Sequence, residues 1–218
     1  MTTLQLRQIK MIPGRTIEIQ DVSWSEFEDI LQELGEKRNT RIAYSNGVLS
    51  IMAPLPAHET SKACIGDFVK ILLDELDRNY LSLGSTTFKT KQMKKAVEPD
   101  DCFYIKNFER VLGKAKLDLN VDPPPELAIE VDLTSKTQLE AYEGLGVAEL
   151  WRYEAGKLHV DCLQDGQYIE VAQSSIFPAW LTNQSIEGFV RRAMSVGQGK
   201  SNKEFRRWVI ESIENSAS

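Results

Sequence analysis

The segment Glu-Leu-Ala-Ile-Glu-Val-Asp-Leu at 126–133 restricts the fold of this chain more than any other. In an extended strand, its apolar side chains share one face, while Glu130 and Asp132 share the other. The apolar neighbours of Glu130, and the helix and strand patterns that follow, favour an interior strand of a sheet. Because unpaired buried carboxylates are costly, such a strand needs a cation or a basic partner. An edge strand that faces water is the alternative interpretation.

The patterns around this strand predict an ordered series of helices and strands. Helices are expected at 22–34 (capped by Ser23 or Ser25), 59–76, 135–144 and 183–213, the last with a break near Gly197 and Gly199. Strands are expected at 41–44, 48–52, 102–105, 126–133, 148–153, 158–163 and 167–172, with one or two more in 81–97. Asn46-Gly47 and Asp165-Gly166 mark hairpin turns. This order predicts an α/β (α+β) fold: a mixed central β-sheet flanked by helices, with an N-terminal hairpin and C-terminal helices.

Length and composition set further expectations. With 218 residues, the chain is expected to form a single domain, 1–218, with a core at 22–177 and a helical extension at 182–215. No apolar run approaches the roughly 18 residues of a membrane span, and the first ten residues lack the apolar region of a signal peptide. Cys64, Cys102 and Cys162 form no CxxC pair, so neither a disulfide framework nor a zinc site is indicated. A cytoplasmic location with no membrane partner is therefore expected.

The net charge of −6 argues against nucleic-acid binding through overall charge. Binding would require local basic patches, and two exist in the sequence. One comprises Lys89, Lys91, Lys94 and Lys95, and the other comprises Arg191, Arg192, Lys200, Lys203, Arg206 and Arg207. Solvated charged faces are the alternative interpretation of both.

A second acidic segment, Glu98-Pro99-Asp100-Asp101, precedes the short strand at 102–105. By itself it is typical of a polar turn. At the entry to a strand, however, the Asp100 side chain can lie beside an acid on a neighbouring strand. Two or three carboxylate oxygens from adjacent strands suit Mg²⁺, which prefers oxygen ligands and keeps several waters. Asp100 and Glu130 are therefore the candidate metal ligands.

Lys136 is the candidate cation beside these acids. Ser135 and Gln138 fit a capping box, which places Lys136 in the first turn of a helix. The helix dipole disfavours a positive charge there by about 0.3–1 kcal/mol. Two interpretations stay open: the side chain projects into solvent, or it reaches back towards Glu130 to hold a water or a scissile phosphate.

Together these segments resemble the PD-(D/E)XK nuclease superfamily and, more closely, the Uma-two (Uma2) family of restriction endonuclease-like proteins, over roughly 22–177. The matching segments are Arg41-Ile-Ala-Tyr to Gly47, Ile51-Met-Ala-Pro54, His58-Glu59, Pro99-Asp100, Pro124-Pro-Glu-Leu-Ala-Ile-Glu130-Val, and Tyr142 with Gly146-Val-Ala-Glu-Leu-Trp151.

The resemblance implies a restriction endonuclease-like core in which Asp100 and Glu130 bind Mg²⁺ or Mn²⁺ and the backbone carbonyl of Val131 adds a ligand. The lysine of the E-x-K motif falls on Asp132, which on this reading joins the metal shell instead. Glu59 resembles the additional helical acid of some superfamily members.

The source of the missing lysine stays open in the sequence. In the resembling family the lysine is commonly displaced onto the following helix, which indicates Lys136. The usual position, four residues before Tyr142, holds Gln138 in this chain. Lys89 and Lys91 are further candidates.

The implied activity is that of a magnesium-dependent endonuclease, a hydrolase acting on phosphodiester bonds in DNA. The implied partner is double-stranded DNA, and a homodimer is expected because both strands need separate cuts and one site is present. The alternative is a non-catalytic or regulatory interaction module that keeps the fold and the acids without chemistry. A glycosidase carboxylate pair is a third interpretation, disfavoured by an aromatic content of 8%.

Overall fold

The fold was determined as a computed structural model, which describes residues 9–35, 38, 40–132 and 135–216. The helices are α1 (Trp24–Leu34), α2 (Pro56–Glu75), α3 (Phe108–Val111), α4 (Lys136–Leu145), α5 (Asn183–Val196) and α6 (Gln198–Ser216). The strands are β1 (Thr16–Ile19), β2 (Arg41–Ser45), β3 (Val48–Met52), β4 (Leu81–Ser82), β5 (Phe88–Thr90), β6 (Lys95–Val97), β7 (Asp101–Tyr104), β8 (Leu127–Val131), β9 (Glu149–Glu154), β10 (Lys157–Gln164) and β11 (Gln167–Val171).

The first sheet is antiparallel, with the strand order β1-β3-β2-β6-β5. The β2–β3 hairpin turns at Asn46-Gly47, where both residues have positive φ angles, as the sequence predicts. Helix α1 covers this sheet: Ser23 caps it in a complete capping box, and Phe27 stacks on Tyr44 with ring centroids 4.8 Å apart. Burial of this aromatic pair fixes the position of α1 on the hairpin.

The second sheet has the order β11-β10-β9-β8-β7-β4 and confirms the predicted mixed sheet. Strand β8 pairs in parallel with β9 and antiparallel with β7, so it is an interior strand, and all five of its residues are buried. Parallel neighbours need a crossover connection, and α4 provides it. Leu133, predicted as the last residue of this strand, lies outside the described residues.

Helices cover the second sheet on both faces. Residues of α2, α5 and α6 pack on the face that carries Leu127, Ile129 and Val131. Helix α4 packs on the opposite face through Ala141 and Tyr142, in a core that also contains residues of the first sheet. Since α4 lies between the two sheets, any side chain that β8 directs to that face meets α4.

The C-terminal helices pack on α2 through the apolar stripe of α6. Phe205 is buried with its ring centroid 4.5 Å from that of Phe68. Asp67 accepts hydrogen bonds from the side chains of Gln198 and Asn202, at 3.1 and 2.8 Å. These contacts tie the start of α6 to the middle of α2.

Several secondary-structure elements differ from the sequence expectation. Strand β1 and the short helix α3 were not predicted. The segment 81–97 forms three short strands rather than one or two: β4 joins the second sheet, whereas β5 and β6 join the first. A turn with positive φ at Lys94 divides β5 from β6, and Gly84 with positive φ follows β4.

The capping box predicted at Ser135 and Gln138 was also wrong. Ser135 occupies the N-cap position, but its hydroxyl donates to Glu18 Oε1 at 3.1 Å and makes no capping bond. The acceptor lies on β1, which explains why a local motif failed: the strand that competes for the hydroxyl is distant in sequence.

None of the helices in the described ranges is long and apolar enough to cross a membrane.

Candidate functional site

The end of β8 brings Asp100 and Glu130 together. The two residues are 3% and 1% exposed. The backbone N–H of Asp100 donates to the Ile129 carbonyl at 3.1 Å, and the backbone N–H of Val131 donates to Asp100 Oδ2 at 2.9 Å. The backbone of Asp100 thus extends the β7–β8 pairing by one residue, and its carboxylate accepts the next backbone N–H of β8. These two bonds hold the carboxylate beside Glu130.

Tyr142 fixes Glu130 from α4. Its hydroxyl donates to Glu130 Oε1 at 2.5 Å, and both side chains are fully enclosed. Burial raises the pKa of the Tyr142 phenol well above its usual value, and the neighbouring Glu130 charge raises it further. The phenol therefore remains a hydrogen-bond donor at neutral pH.

The two carboxyls carry like charge in a site with little water. Burial raises the pKa of Glu130 well above its ordinary range, and the Asp100 charge raises it further, while the Tyr142 hydrogen bond and Arg41 lower it. Burial also raises the pKa of Asp100, against the lowering effects of the Val131 hydrogen bond, Arg41 and Lys62. The positive groups around Asp100 and Glu130 therefore do not fully compensate for the burial and mutual repulsion of the two carboxylates.

Arg41 and Glu59 lie next to this pair. Arg41 Nε is 3.5 Å from Asp100 Oδ1, and a terminal nitrogen of the same guanidinium is 3.8 Å from Glu59 Oε1. Lys62 Nζ is 3.4 Å from Glu59 Oε2. Glu59, predicted as an additional helical acid, lies at the start of α2 and contacts two cations, Arg41 on β2 and Lys62 on α2, to which no role was assigned from the sequence.

Asp132, in the position of the E-x-K lysine, pairs with a histidine. Its backbone has a φ of 54°, which ends the strand, and its Oδ2 lies 2.7 Å from His58 Nε2. The carboxylate that the resemblance assigns to a metal shell is thus engaged with the first turn of α2.

Lys136 is not brought to the acidic pair. Its side chain is 87% exposed, and Nζ lies 3.7 Å from Glu140 Oε1, one turn further along α4. This geometry corresponds to the solvent-projecting alternative and differs from the expectation that Lys136 reaches back towards Glu130. Projection into water removes most of the cost of a cation in a first helical turn.

Gln138 lies closer to the site than Lys136 does. It is buried on α4, one turn before Tyr142, and residues at i and i+4 share a helix face. Since Tyr142 contacts Glu130, the Gln138 side chain belongs to the face of α4 that meets β8, but it is uncharged.

The other candidate lysines, and much of the basic clusters, are exposed or neutralised. Lys91 is exposed in the β5–β6 turn, and Lys89 pairs with Glu28 at 3.2 Å. Near the C-terminus, Arg192 pairs with Glu204 and Arg206 pairs with Glu75. These contacts reduce the positive potential that either cluster presents to a phosphate backbone.

Asp100 and Glu130 suit a hard divalent cation. Over the described part of the chain, no group of three or more His, Cys, Asp or Glu side chains is arranged to hold a metal ion. Mg²⁺, however, is commonly held by one or two carboxylates with waters and substrate oxygens completing its shell. Two adjacent buried carboxyls with raised pKa values fit that ligand set, and positive charge there would relieve the repulsion between them.

Glu130 was recognisable in the sequence from its strand context, whereas its partners were not. Tyr142 was noted for its motif without a role. Arg41 and His58 were likewise noted only as parts of matching segments, and Lys62 was not singled out. The local signal that could have found Lys62 is its i, i+4 spacing from His58 at the start of a helix.

Comparisons with known proteins agree with this fold. A crystal structure described as a putative nuclease belonging to DUF820, from Anabaena variabilis ATCC 29413, superposes with a TM-score of 0.50 at 14% sequence identity and covers 78% of this chain and 99% of that one. At this identity the likeness concerns the fold alone. No curated protein matches the sequence. The family model Uma2, described as "Putative restriction endonuclease", matches residues 24–195. Because that match extends over most of the chain, from α1 to the end of α5, the protein belongs to the Uma2 family.

Proposed function

We propose that the protein is a metal-dependent endonuclease that hydrolyses phosphodiester bonds in double-stranded DNA. The observation that carries the proposal is the buried pair of Asp100 and Glu130, two acids held side by side at the end of an interior strand. Membership of the Uma2 family, whose description is "Putative restriction endonuclease", gives this pair its chemical context. Hydrolysis adds water across a P–O bond and yields a phosphate monoester and an alcohol.

Asp100 and Glu130 would hold Mg²⁺ or Mn²⁺, with the Val131 carbonyl as a further candidate ligand. Metal bound there would neutralise charge on a phosphate oxygen and lower the pKa of a bound water. The protein residues prepare this centre. The Val131 N–H orients the Asp100 carboxylate, and the Tyr142 hydroxyl orients Glu130. Burial keeps the site dry, which strengthens its electrostatic interactions.

The proposal is tested by plasmid cleavage with Mg²⁺ or Mn²⁺. Asp100→Asn and Glu130→Gln keep the side-chain shapes and remove one charge each, so we expect both variants to lose cleavage. Glu109→Ala, at an exposed acid of α3, is the matched control and should cut like the wild type. Equal cleavage by the wild type and both site variants would overturn the assignment.

A non-catalytic interaction module is the second candidate function. It is favoured by the absence of a cation where the family pattern places one, since position 132 holds an acid and Lys136 faces solvent. Calorimetric titration with metal, beside the cleavage assay, separates the two functions. Metal binding without cleavage of any nucleic acid would favour the module.

A homodimer and a cytoplasmic location remain part of the proposal. A dimer would place two such centres on the two strands of one duplex, and gel filtration with and without DNA measures it. A single-chain mass under both conditions would contradict the dimer.

A further inference from the structure

The acidic pair needs a positive charge that neither β8 nor α4 supplies. The residue two positions after Glu130 is an acid, Lys136 lies in solvent, and the buried residue one turn before Tyr142 is Gln138. A phosphate approaching two carboxylates would meet repulsion unless a cation lies within reach. Two cations of other elements lie near the end of β8: Arg41 on β2, which is 3.5 Å from Asp100, and Lys62 on α2.

One face of α2 lies directly over the strand ends that carry the acids. His58 at its first turn contacts Asp132 just beyond β8. Two turns later, Gly66 lies so close to the second sheet that an added Cβ would be 2.7 Å from Asp101 Oδ2, at the start of β7. Residues 58, 62 and 66 are spaced by four and share that face. Lys62 is the middle member, so it lies between the end of β8 and the start of β7, where Asp100 is found.

A chain of ion pairs joins Lys62 to the acidic pair. Lys62 Nζ is 3.4 Å from Glu59 Oε2, Glu59 Oε1 is 3.8 Å from a terminal nitrogen of Arg41, and Arg41 Nε is 3.5 Å from Asp100 Oδ1. The Lys62 side chain is 20% exposed, so it borders the site without being sealed inside it. This combination of partial exposure and proximity to Asp100 is what a phosphate-contacting group requires.

Arg41 and Lys62 differ in how far they are committed to other residues. The Arg41 guanidinium lies between Asp100 and Glu59 and is 14% exposed. Among the described residues, Lys62 makes one ion pair, with Glu59, whose side chain is itself half exposed. An ammonium group carries three donors. Lys62 can therefore contact a phosphate oxygen while Glu59 still holds it in place.

We propose that Lys62, delivered from α2, is the catalytic cation that contacts the scissile phosphate. Glu59 is the positioning residue that fixes its direction, and Arg41 connects Glu59 to Asp100. The inference rests on the proposed nuclease function for its substrate class, a nucleic-acid phosphodiester. It assigns the task expected of the E-x-K lysine to a different element of the fold.

The test combines DNA binding with cleavage in four variants. Lys62→Met keeps the aliphatic stem and removes the charge, and Lys62→Arg restores the charge. Lys70→Met, two turns further along the same helix, is the matched control, and Lys136→Met tests the rival source. Duplex binding is measured with Ca²⁺ over a range of salt concentrations, and cleavage is measured in single turnovers with Mg²⁺ or Mn²⁺.

We expect the slope of log K against log salt, which is negative, to become less steep by about 0.9 in Lys62→Met, the loss of one phosphate contact. The cleavage rate should fall by about 10²–10³-fold, the usual effect of removing one donor to a developing charge. Lys62→Arg should recover the salt slope and part of the rate, which a purely structural role would not predict. Lys70→Met should match the wild type in both measurements.

An unchanged salt slope in Lys62→Met, or a loss confined to Lys136→Met, would overturn the proposal. Failure of the proposed function alone gives a different result. The wild type would then bind duplex without cutting it, and the salt slope of Lys62→Met would still show whether Lys62 contacts a phosphate. A wild type that binds no duplex at all would overturn both.

Discussion

Replacing Glu130 with Gln should stabilise the metal-free protein at neutral pH. Glu130 is 1% exposed, accepts one hydrogen bond from Tyr142 and lies against the like charge of Asp100. A glutamine in the same place still accepts from Tyr142 through its carbonyl oxygen, and its amide can donate to Asp100. The substitution therefore removes a buried charge without removing the contacts around it.

The direction of the pH dependence follows from the raised pKa of Glu130. A carboxyl whose pKa in the folded state lies above its ordinary value of 4.5 supports folding at low pH, where it is protonated in both states. That support is lost as the pH rises through the folded-state pKa, at about 1.4 kcal/mol per pH unit for one proton. The stabilising effect of Glu130→Gln should therefore grow from about pH 5 upwards and level off above the folded-state pKa.

The expected gain at neutral pH is about 1–3 kcal/mol in the free energy of unfolding, comparable to the gain from removing other buried charges. For a chain of this length, each kcal/mol corresponds to about 2–4 °C in Tm. Urea denaturation of the wild type and the variant, with chelator present at a series of pH values, measures the difference. A variant that is less stable than the wild type at every pH would show that the buried Glu130 charge does not destabilise the metal-free protein.

Glu149 provides the matched control, because it is equally buried but fully paired. It accepts from Trp151 Nε1 at 2.7 Å, Ser174 Oγ at 2.5 Å, and both the N–H and the hydroxyl of Ser175 at 2.8 and 2.9 Å. Glu149→Gln places an amide donor among these donors and should destabilise the protein by about 1–3 kcal/mol. The two substitutions make the same chemical change, yet their effects on the free energy of unfolding should have opposite signs.

Two further predictions concern the supports of the site. Gly66→Ala should destabilise the protein by about 1–3 kcal/mol and slow cleavage, because the new methyl group would push α2 away from Asp101. Asp101 cannot easily move aside, since it accepts hydrogen bonds from the Ser82 hydroxyl and the Cys102 N–H. An alanine variant with wild-type Tm and activity would contradict the close approach of α2 to Asp101. Tyr142→Phe removes a hydrogen bond that lowers the pKa of Glu130, so the pH profile of metal binding should move to higher pH. A profile that stays in place would show that the phenol does not lower the pKa of Glu130.

Sequence patterns predicted the features of the fold that depend on interactions between neighbouring residues in the chain. The Asn46-Gly47 and Asp165-Gly166 turns and the alternation around Glu130 each depend on a few adjacent residues, and the structure confirms them. The cap of α1 was predicted at Ser23 or Ser25, and it is Ser23. The interior position of β8 was also predictable, because apolar residues flank its acid on both sides.

Features that depend on distant pairing were not predictable in the same way. Strand β1 has four residues and exists through its pairing with β3, and it then draws the Ser135 hydroxyl away from the expected cap. Within the site, the sequence identified the two acids but not the groups around them. The contacts of Tyr142 with Glu130, of Arg41 with Asp100 and of Lys62 with Glu59 arise only when α4, β2 and α2 converge on the end of β8.

The proposed metal centre is tested most directly by calorimetric titration of the protein with Mn²⁺. We expect the wild type to bind Mn²⁺ with an affinity that rises with pH as Asp100 and Glu130, whose pKa values are raised by burial, lose their protons. Asp100→Asn and Glu130→Gln should lose that binding while staying folded. Equal affinity in the wild type and both variants would contradict the assignment of Asp100 and Glu130 as the metal centre.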